Sequence, residues 1–260
     1  MARFAELVAD GDGHLDEVAL CISGAANPGV DVRAELSRID AVAVRCHDAG
    51  VGDPDGLCRY LFTDAGAGLS GNRRDYYDVR NSYLDSVLSR RRGIPITLAV
   101  LAIEVGRRLG IGLVGIGMPG HFLVRRTDDP DAFHDPFNAG LGYDRAGLGR
   151  FFASLHGAAV PLAAEYLEPV GTTVIAERML ANLTRIHLES SDHRAVATVL
   201  RLRALLPGAE PAVSRQLAGV LAHLGRSWEA AEIHERLVGL QPSRADEHRA
   251  AAQRLRAGAN

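Results

Sequence analysis

Apolar residues cover nearly all sides of the segment from Pro95 to Leu109. Most of them recur at intervals of three and four residues, which predicts a helix that is buried on most of its faces. Pro95 suits the first helical position, where its missing N–H costs nothing. Arg107 and Arg108 suit the last turn, and Gly110 suits the position just beyond it. We therefore expect a central helix whose N-terminus lies at Pro95.

Two short runs of β-prone residues follow this helix. They extend from Ile111 to Met118 and from Phe122 to Arg126, and they are separated by Pro119-Gly120-His121. A second break in the apolar pattern precedes a segment that contains Asp135. The predicted order is therefore a buried helix, a strand, a strand that begins at a histidine, and a segment that bears an aspartate.

The chain before this core has the periodicity of helices. We expect one helix from Leu15 to Ile22 and another from Val32 to about Ala49, which Asp31 can cap. Asn81 is expected to cap a further helix that runs through Arg91. These segments predict a helical N-terminal part that packs on the central helix.

Beyond Pro169 the apolar pattern is entirely helical, so we place a domain boundary between residues 1–170 and 171–260. Aligning Pro207 with Pro242 gives an offset of 35 residues, close to the tetratricopeptide period. Two degenerate repeats, 178–207 and 211–242, are expected before a last helix near 244–256. Two repeats are fewer than such an array needs alone, so the tail should pack on the first domain. Its shared core should be filled by Leu202, Leu205, Leu237 and Leu240.

The composition is that of an ordinary globular protein, with 47% hydrophobic and 23% charged residues. A net charge of −3 gives no support for binding to nucleic acid or to a membrane surface. No uncharged apolar run reaches the length of about 18 residues that a membrane helix needs. Cys21, Cys46 and Cys58 are odd in number and scattered, which favours reduced thiols and a cytoplasmic location over disulfides or a zinc site.

The chain carries several short motifs in a fixed order: Tyr76-Tyr77-Asp78, Asn81-Ser82-Tyr83-Leu84, Arg92-Gly93-Ile94-Pro95-Ile96, Pro119-Gly120-His121-Phe122-Leu123 and Asp135-Pro136-Phe137. These motifs resemble the transglutaminase-like branch of the papain-like cysteine-enzyme fold. Within that branch they are most similar to a bacterial subfamily that is named after an invasion regulator and also occurs in an F-box protein. The resemblance covers roughly residues 30–165 and implies an α+β fold, with a buried central helix packed against a small antiparallel sheet. Here that core would carry N-terminal helices and an all-α, tetratricopeptide-like tail.

Active members of this superfamily use a cysteine at the N-terminus of the central helix. The helix N-terminus and a neighbouring histidine lower the pKa of the thiol, and a carboxylate orients the imidazole ring. The resemblance implies that His121 is the base, that Asp135 is its orienter, and that Pro95 occupies the cysteine position. Thr97 does not replace the cysteine, because two residues of helix turn its side chain away by about 200°.

Three interpretations of these residues remain open. In one, His121 and Asp135 form a hydrogen-bonded pair that only stabilises strand pairing, by about 1 kcal/mol. In another, they form a protein- or peptide-binding cleft near the helix N-terminus, to which Asn81 and Thr97 contribute. In the third, the protein is a hydrolase or an amide transferase with an unusual nucleophile. The missing cysteine favours the second interpretation, a pseudoenzyme that binds a protein or peptide partner.

Metal binding is a further alternative. His121, Asp131, His134 and Asp135 are possible ligands, but no helical pair or CxxC spacing fixes a coordination geometry. The segment Asp10–His14 lacks the acidic spacing and the closing glutamate of a calcium loop, so we interpret it as a loop that enters a helix. We therefore expect neither a metal ion nor a cofactor.

Overall fold

The computed structural model describes residues 1–9, 14–158 and 160–258, so residues 10–13 of the segment considered for calcium lie outside it. The helices are α1 (Ala2–Ala9), α2 (Leu15–Ala26), α3 (Val32–Asp48), α4 (Pro54–Phe62), α5 (Leu84–Arg90), α6 (Pro95–Leu109), α7 (Arg145–His156), α8 (Thr172–Glu189), α9 (His193–Arg203), α10 (Pro211–His223), α11 (Ser227–Leu240) and α12 (Ala245–Ala257). The strands are β1 (Ser70–Gly71), β2 (Arg92–Gly93), β3 (Leu113–Ile116), β4 (Leu123–Arg126), β5 (Phe133–Asp135), β6 (Leu141–Tyr143) and β7 (Pro169–Val170).

Helix α6 is the centre of the fold, and the prediction that it starts at Pro95 is confirmed. It packs against α2, α3 and α4 and against strands β3 and β4. Leu98 and Val100 are fully buried, although they lie on different faces of the helix. Each such side chain stabilises the fold by about 1.5–3 kcal/mol. Gly110 ends the helix in the left-handed conformation, with φ 70°, where glycine has no Cβ to clash.

Five strands form one antiparallel sheet in the order β6-β5-β4-β3-β7. In its centre, Val124 of β4 lies opposite His134 of β5. This register brings the residues just before β4 and at the end of β5 to the same end of the sheet, so His121 lies close to Asp135. The predicted α+β core, with a helix packed on a small antiparallel sheet, is confirmed. Strands β1 and β2 form a separate two-residue parallel pair.

A partly buried ion network attaches the N-terminal helices to α6. The guanidinium of Arg108 is 2.6 Å from a carboxylate oxygen of Asp16 on α2 and 2.6 Å from one of Asp40 on α3. It also lies 3.2 Å from a carboxylate oxygen of Glu104, one helical turn earlier. The backbone N–H of Leu15 donates to the other oxygen of Glu104 at 2.9 Å, so the start of α2 is fixed to α6 as well.

The elements that the structure describes after residue 170 are all helices, as predicted, and the first two of them share the main core. Ile175, Met179 and Leu183 of α8 belong to the same cluster of buried apolar residues as α6. Val199 and Leu202 of α9 join that cluster from the next helix. The opposite face of α9 packs with α10 and α11 in a second cluster. Both the tetratricopeptide classification and the boundary at residue 170 stay predictions.

The prediction that four leucines fill the tail core is wrong for two of them. Leu202 and Leu237 are buried, whereas Leu205 is 40% exposed and Leu240 is 69% exposed. Leu205 lies beyond the end of α9, and Leu240 is the last residue of α11. Helical spacing in the sequence therefore does not show that a residue at or beyond the end of a helix is buried.

Candidate functional site

His121 and Asp135 form a hydrogen-bonded pair at one end of the sheet. Nε2 of His121 lies 2.9 Å from Oδ2 of Asp135, whose side chain is fully buried. The other oxygen of Asp135 accepts the backbone N–H groups of Phe137 (3.0 Å) and Asn138 (3.1 Å), which caps a short 3-10 turn. Because a carboxylate held by these donors is an acceptor, the Nε2 of a neutral His121 ring carries the proton and its Nδ1 presents the lone pair.

Pro95 and His121 line one cleft of about 380 Å³, which we call the α6–α8 cleft. Its walls come from the loop after β1, the first turn of α6, the loop before β4 and one face of α8. Pro95 is the first residue of α6, so the N-terminus of that helix carries neither a thiol nor a hydroxyl at this position. The residues that line the cleft are Tyr76, Tyr77, Ile94, Pro95, Ile96, Gly120, His121, Phe122, Arg178, Ala181, Asn182 and Arg185.

Arg178 of α8 holds the loop that leads to His121. Its guanidinium donates to the carbonyl oxygens of Gly117, Met118 (3.2 Å) and His121 (3.1 Å), and it stacks on the ring of Phe122 at 5.3 Å. It forms no ion pair with a carboxylate in the part of the chain that the structure describes. Burial lowers the pKa of Arg178, and the nearby Tyr76 hydroxyl opposes this effect.

Arg185 lies seven residues further along α8, on the same face of the helix. Its guanidinium stacks on the ring of Tyr77 at 4.8 Å. It is also 3.7 Å from a carboxylate oxygen of Glu189, and both side chains are about half exposed. This arginine is therefore accessible at the open side of the cleft, in contrast to the partly buried Arg178.

Asn81 and Thr97 lie behind the cleft and do not line it. Both are fully buried, and the Thr97 hydroxyl donates to the carbonyl oxygen of Asn81 at 2.8 Å. The same hydroxyl accepts the N–H of Ile94 at 3.1 Å, and the Asn81 amide donates to the carbonyl oxygen of Asp75 at 2.7 Å. The polar groups of Asn81 and Thr97 therefore bind backbone groups behind the cleft and stabilise its walls. They do not reach its interior.

The predicted cap of α5 by Asn81 is wrong. Helix α5 begins at Leu84, and Tyr83 precedes it without a capping side chain. Asn81 instead ends a 3-10 turn that starts at Val79, and its side-chain oxygen accepts from the amide of Asn72 at 3.1 Å. The side-chain oxygen of Asn81 therefore accepts from Asn72, and not from an N–H in the first turn of α5.

The three cysteines lie outside the cleft. Cys46 on α3 and Cys58 on α4 are buried, and burial raises the pKa of their thiols to about 11 and about 12. Burial also raises the pKa of Cys21 on α2. None of these thiols is a ready nucleophile for His121.

His134 and Asp131 do not join the pair at the cleft. His134 is buried, its Nδ1 lies 3.4 Å from the carbonyl oxygen of Gly140, and its Nε2 faces Asp55 at 3.4 Å. Asp131 pairs with Arg145 at the surface. Among the described residues, no three histidine, cysteine or acidic side chains are grouped closely enough to hold a metal ion. No described helix is both long and apolar enough to cross a membrane.

No role for Arg178 and Arg185 follows from the sequence alone. Their spacing of seven residues was the available signal, since it places two side chains on one face of a helix. That signal does not show which part of the protein the face meets. Only the packing of α8 beside the loop before β4 shows that both arginines belong to the cleft.

Comparison with known proteins places this arrangement in a family. A UPF0162 protein of Xylella fastidiosa (strain 9a5c) is 40% identical over 190 residues, which cover 71% of this chain and 66% of the relative. A UPF0162 protein of Vibrio cholerae is 34% identical over 118 residues, or 45% of this chain and 43% of the relative. Mouse F-box only protein 21 is 49% identical over 57 residues, or 22% of this chain and 9% of that protein.

The match to the Xylella protein spans slightly less than two thirds of that relative's length. No solved structure matches the chain. Residues 32–181, more than half of the chain, match the family model described as the transglutaminase-like superfamily. This range contains α6, strands β3 to β6, the His121–Asp135 pair and Arg178. On these findings, the chain belongs to the transglutaminase-like superfamily.

Proposed function

We propose that this protein is a non-catalytic transglutaminase-like protein that binds a protein or peptide segment in the α6–α8 cleft. The observation that carries the proposal is Pro95 at the first position of α6, in the same cleft as His121. A pyrrolidine ring has no atom that can attack a carbonyl group. The cleft nevertheless stays open, and its volume of about 380 Å³ is within the range of ligand sites, about 300–1,000 Å³.

The polar groups of the cleft suit a peptide backbone. Nδ1 of His121 presents a lone pair that can accept a peptide N–H. Ile96 is the second residue of α6, so its N–H has no acceptor within the helix and can donate to a peptide carbonyl. Tyr76 and Tyr77 supply aromatic surface for an apolar side chain of the same segment.

The alternative is a hydrolase or an amide transferase with an unusual nucleophile, and the His121–Asp135 geometry supports it. A base needs a nucleophile within hydrogen-bonding reach. The Thr97 hydroxyl is engaged with the backbone behind the cleft, and the cysteine thiols are on α2, α3 and α4. The binding function is therefore better supported.

The proposal is tested by selecting peptides from a random library on the intact protein. Ala181→Trp fills the cleft from α8, and Val44→Trp places the same side chain at an exposed position of α3. We expect selected peptides to bind the unchanged protein and Val44→Trp but to lose binding to Ala181→Trp. Circular dichroism spectra of both variants check that they are folded.

Two results would overturn the proposal. One is that none of the selected peptides loses binding to Ala181→Trp. The other is cleavage of a bound peptide, or its transfer to an amine, which would establish the hydrolase or transferase alternative. Mass spectrometry of peptides after incubation with the protein detects both reactions.

A further inference from the structure

Each charged side chain among the described lining residues of the α6–α8 cleft is an arginine. Arg178 lies at the inner part beside the His121 loop, and Arg185 lies at the open side. The chain as a whole has more acidic than basic residues, 32 against 29. The positive charge of the cleft is therefore a local arrangement and not a consequence of composition.

Arg178 is only partly compensated within the protein. Its hydrogen-bond acceptors are neutral backbone carbonyl oxygens, and no carboxylate pairs with it in the described chain. Carbonyl groups stabilise a guanidinium through their dipoles, but they leave its net charge unbalanced. An anion that enters the cleft would balance the charge of Arg178.

A neighbouring feature acts in the same direction. The N-terminus of α6, whose first two residues Pro95 and Ile96 line the cleft, adds a partial positive charge. The carboxylate of Asp135 is already bound by His121 and by the amides of the 3-10 turn. Glu189 pairs with Arg185 at 3.7 Å in solvent, where such a pair is worth about 0–1 kcal/mol and exchanges readily.

We infer that the bound segment presents a carboxylate to Arg178 and Arg185. This inference rests on the proposed function, because it names the chemistry of the ligand in the same cleft. The carboxylate belongs to an aspartate or glutamate side chain or to a peptide C-terminus. An apolar or aromatic side chain of the segment lies beside it, against Tyr76 and Tyr77, while a backbone N–H reaches Nδ1 of His121.

The test compares a selected peptide with a twin in which each carboxylate is replaced by its amide. Fluorescence anisotropy gives the dissociation constants for the unchanged protein, for Arg185→Gln and for Arg249→Gln. Arg249 is the matched control, because it is an exposed arginine on α12 that lies outside the cleft. Arg185 is half exposed, so its replacement leaves the buried core intact.

We expect the amide twin to bind about 10- to 100-fold more weakly, which corresponds to about 1.5–3 kcal/mol for hydrogen bonds to a charged group. Arg185→Gln should weaken the carboxylate peptide and leave the amide twin nearly unchanged. Arg249→Gln should change neither. Equal binding of the two twins would overturn the carboxylate inference. The proposed function would still stand, because it depends only on peptide binding in the cleft.

A second measurement distinguishes the kind of anion. N-acetylglutamate, its diamide (both carboxylates replaced by amides) and inorganic phosphate are titrated into the protein, and the arginine Nε–H signals are followed by NMR. Shifts of the Arg178 and Arg185 signals with N-acetylglutamate, and not with the diamide, support the inference. Tighter binding of inorganic phosphate than of N-acetylglutamate would make the cleft a phosphate site and would overturn it.

Discussion

The Tyr83 hydroxyl lies 3.0 Å from Nε2 of His187, and this contact joins the segment before α5 to helix α8. His187 is buried, and burial raises the pKa of Tyr83 to about 12, with Asp192 and Asp85 acting in the same direction. The phenol therefore stays protonated and donates, so Nε2 of His187 accepts. This bond forms part of the wall of a cavity of about 480 Å³ between α2, α5, α8 and α9.

Tyr83→Phe should lower the free energy of unfolding by about 1–3 kcal/mol. The reason is that the buried Nε2 of His187 loses the hydroxyl that donates to it. Urea titration followed by circular dichroism measures the change. Tyr77→Phe is the control: Tyr77 is 55% exposed, so its replacement should change stability by less than about 0.5 kcal/mol. Equal effects of the two changes would show that the Tyr83–His187 bond contributes no stability.

Acidification should destabilise the protein through three histidines. Burial lowers the pKa of His134 and of His187, and burial together with the charge of His248 lowers the pKa of His234. In each case the folded pKa lies below the unfolded value of 6.5, so the unfolded chain binds protons first as the pH falls. Stability should be complete above about pH 6.5 and should be lost as the pH falls through the folded pKa values.

Urea midpoints between pH 7.5 and pH 5 test this dependence. His187→Gln removes one titrating group and should make the loss of stability with falling pH less steep. A midpoint that stays constant over this range would contradict the assignment of these histidines as buried and neutral.

Pro95→Cys should introduce the only cysteine of low pKa in the protein. The new thiol would lie at the N-terminus of α6 beside His121, and both lower a thiol pKa, whereas burial raises the pKa of the natural thiols. Iodoacetamide at pH 7 should label the new thiol faster than Cys21, Cys46 or Cys58. Adding His121→Gln to the variant should slow the labelling. Strong labelling of a natural cysteine at pH 6 in the unchanged chain would instead favour the hydrolase alternative.

Arg108→Ala should lower the free energy of unfolding by about 3–5 kcal/mol, because it leaves the buried carboxylate of Asp16 without its cation, whereas Glu104 keeps Arg107 at 2.8 Å. Arg249→Ala removes an exposed pair with Asp246 and should change stability by about 0–1 kcal/mol. Chemical denaturation of the two variants provides the comparison. Similar small losses would mean that water replaces Arg108 in the network.

Removing α8 should be far more damaging than removing the helices after it. A fragment that ends at residue 170 loses Ile175, Met179 and Leu183, which belong to the main core, whereas a fragment that ends at residue 190 keeps them. We expect the shorter fragment to be less soluble and to unfold without a sharp transition, and the longer one to melt cooperatively. If residues 1–170 melted at the midpoint of the full chain, the tail would be an independent unit.

The parts of the fold that follow from local patterns could be predicted from the sequence. Helix α6 starts at Pro95 and ends before Gly110 because the proline, the apolar periodicity and the glycine all act within one helix. Strands β3 and β4 follow from short apolar runs on either side of a Pro-Gly turn. The contact between His121 and Asp135 follows from the order of those strands in the family's fold.

The parts that depend on distant partners could not be predicted. Asn81 has the sequence features of a helix cap, but Asn72 and the backbone of Asp75 bind its side chain first. In the sequence, Arg178 and Arg185 are ordinary polar residues of an amphipathic helix. Their place in the cleft depends on the packing of α8 beside the loop that leads to His121. In both cases the decisive interaction joins residues that are separate in the chain, and the local pattern carries no information about it.

Arg178 also defines how this fold can be divided. It stands on α8, yet its guanidinium binds three carbonyl groups of the loop that ends at His121. The smallest fragment that keeps His121 in place therefore ends within α8. The family match, which ends at residue 181, includes Arg178. Gene fusion or recombination that cut before this helix would transfer the strands and the histidine without the side chain that positions them.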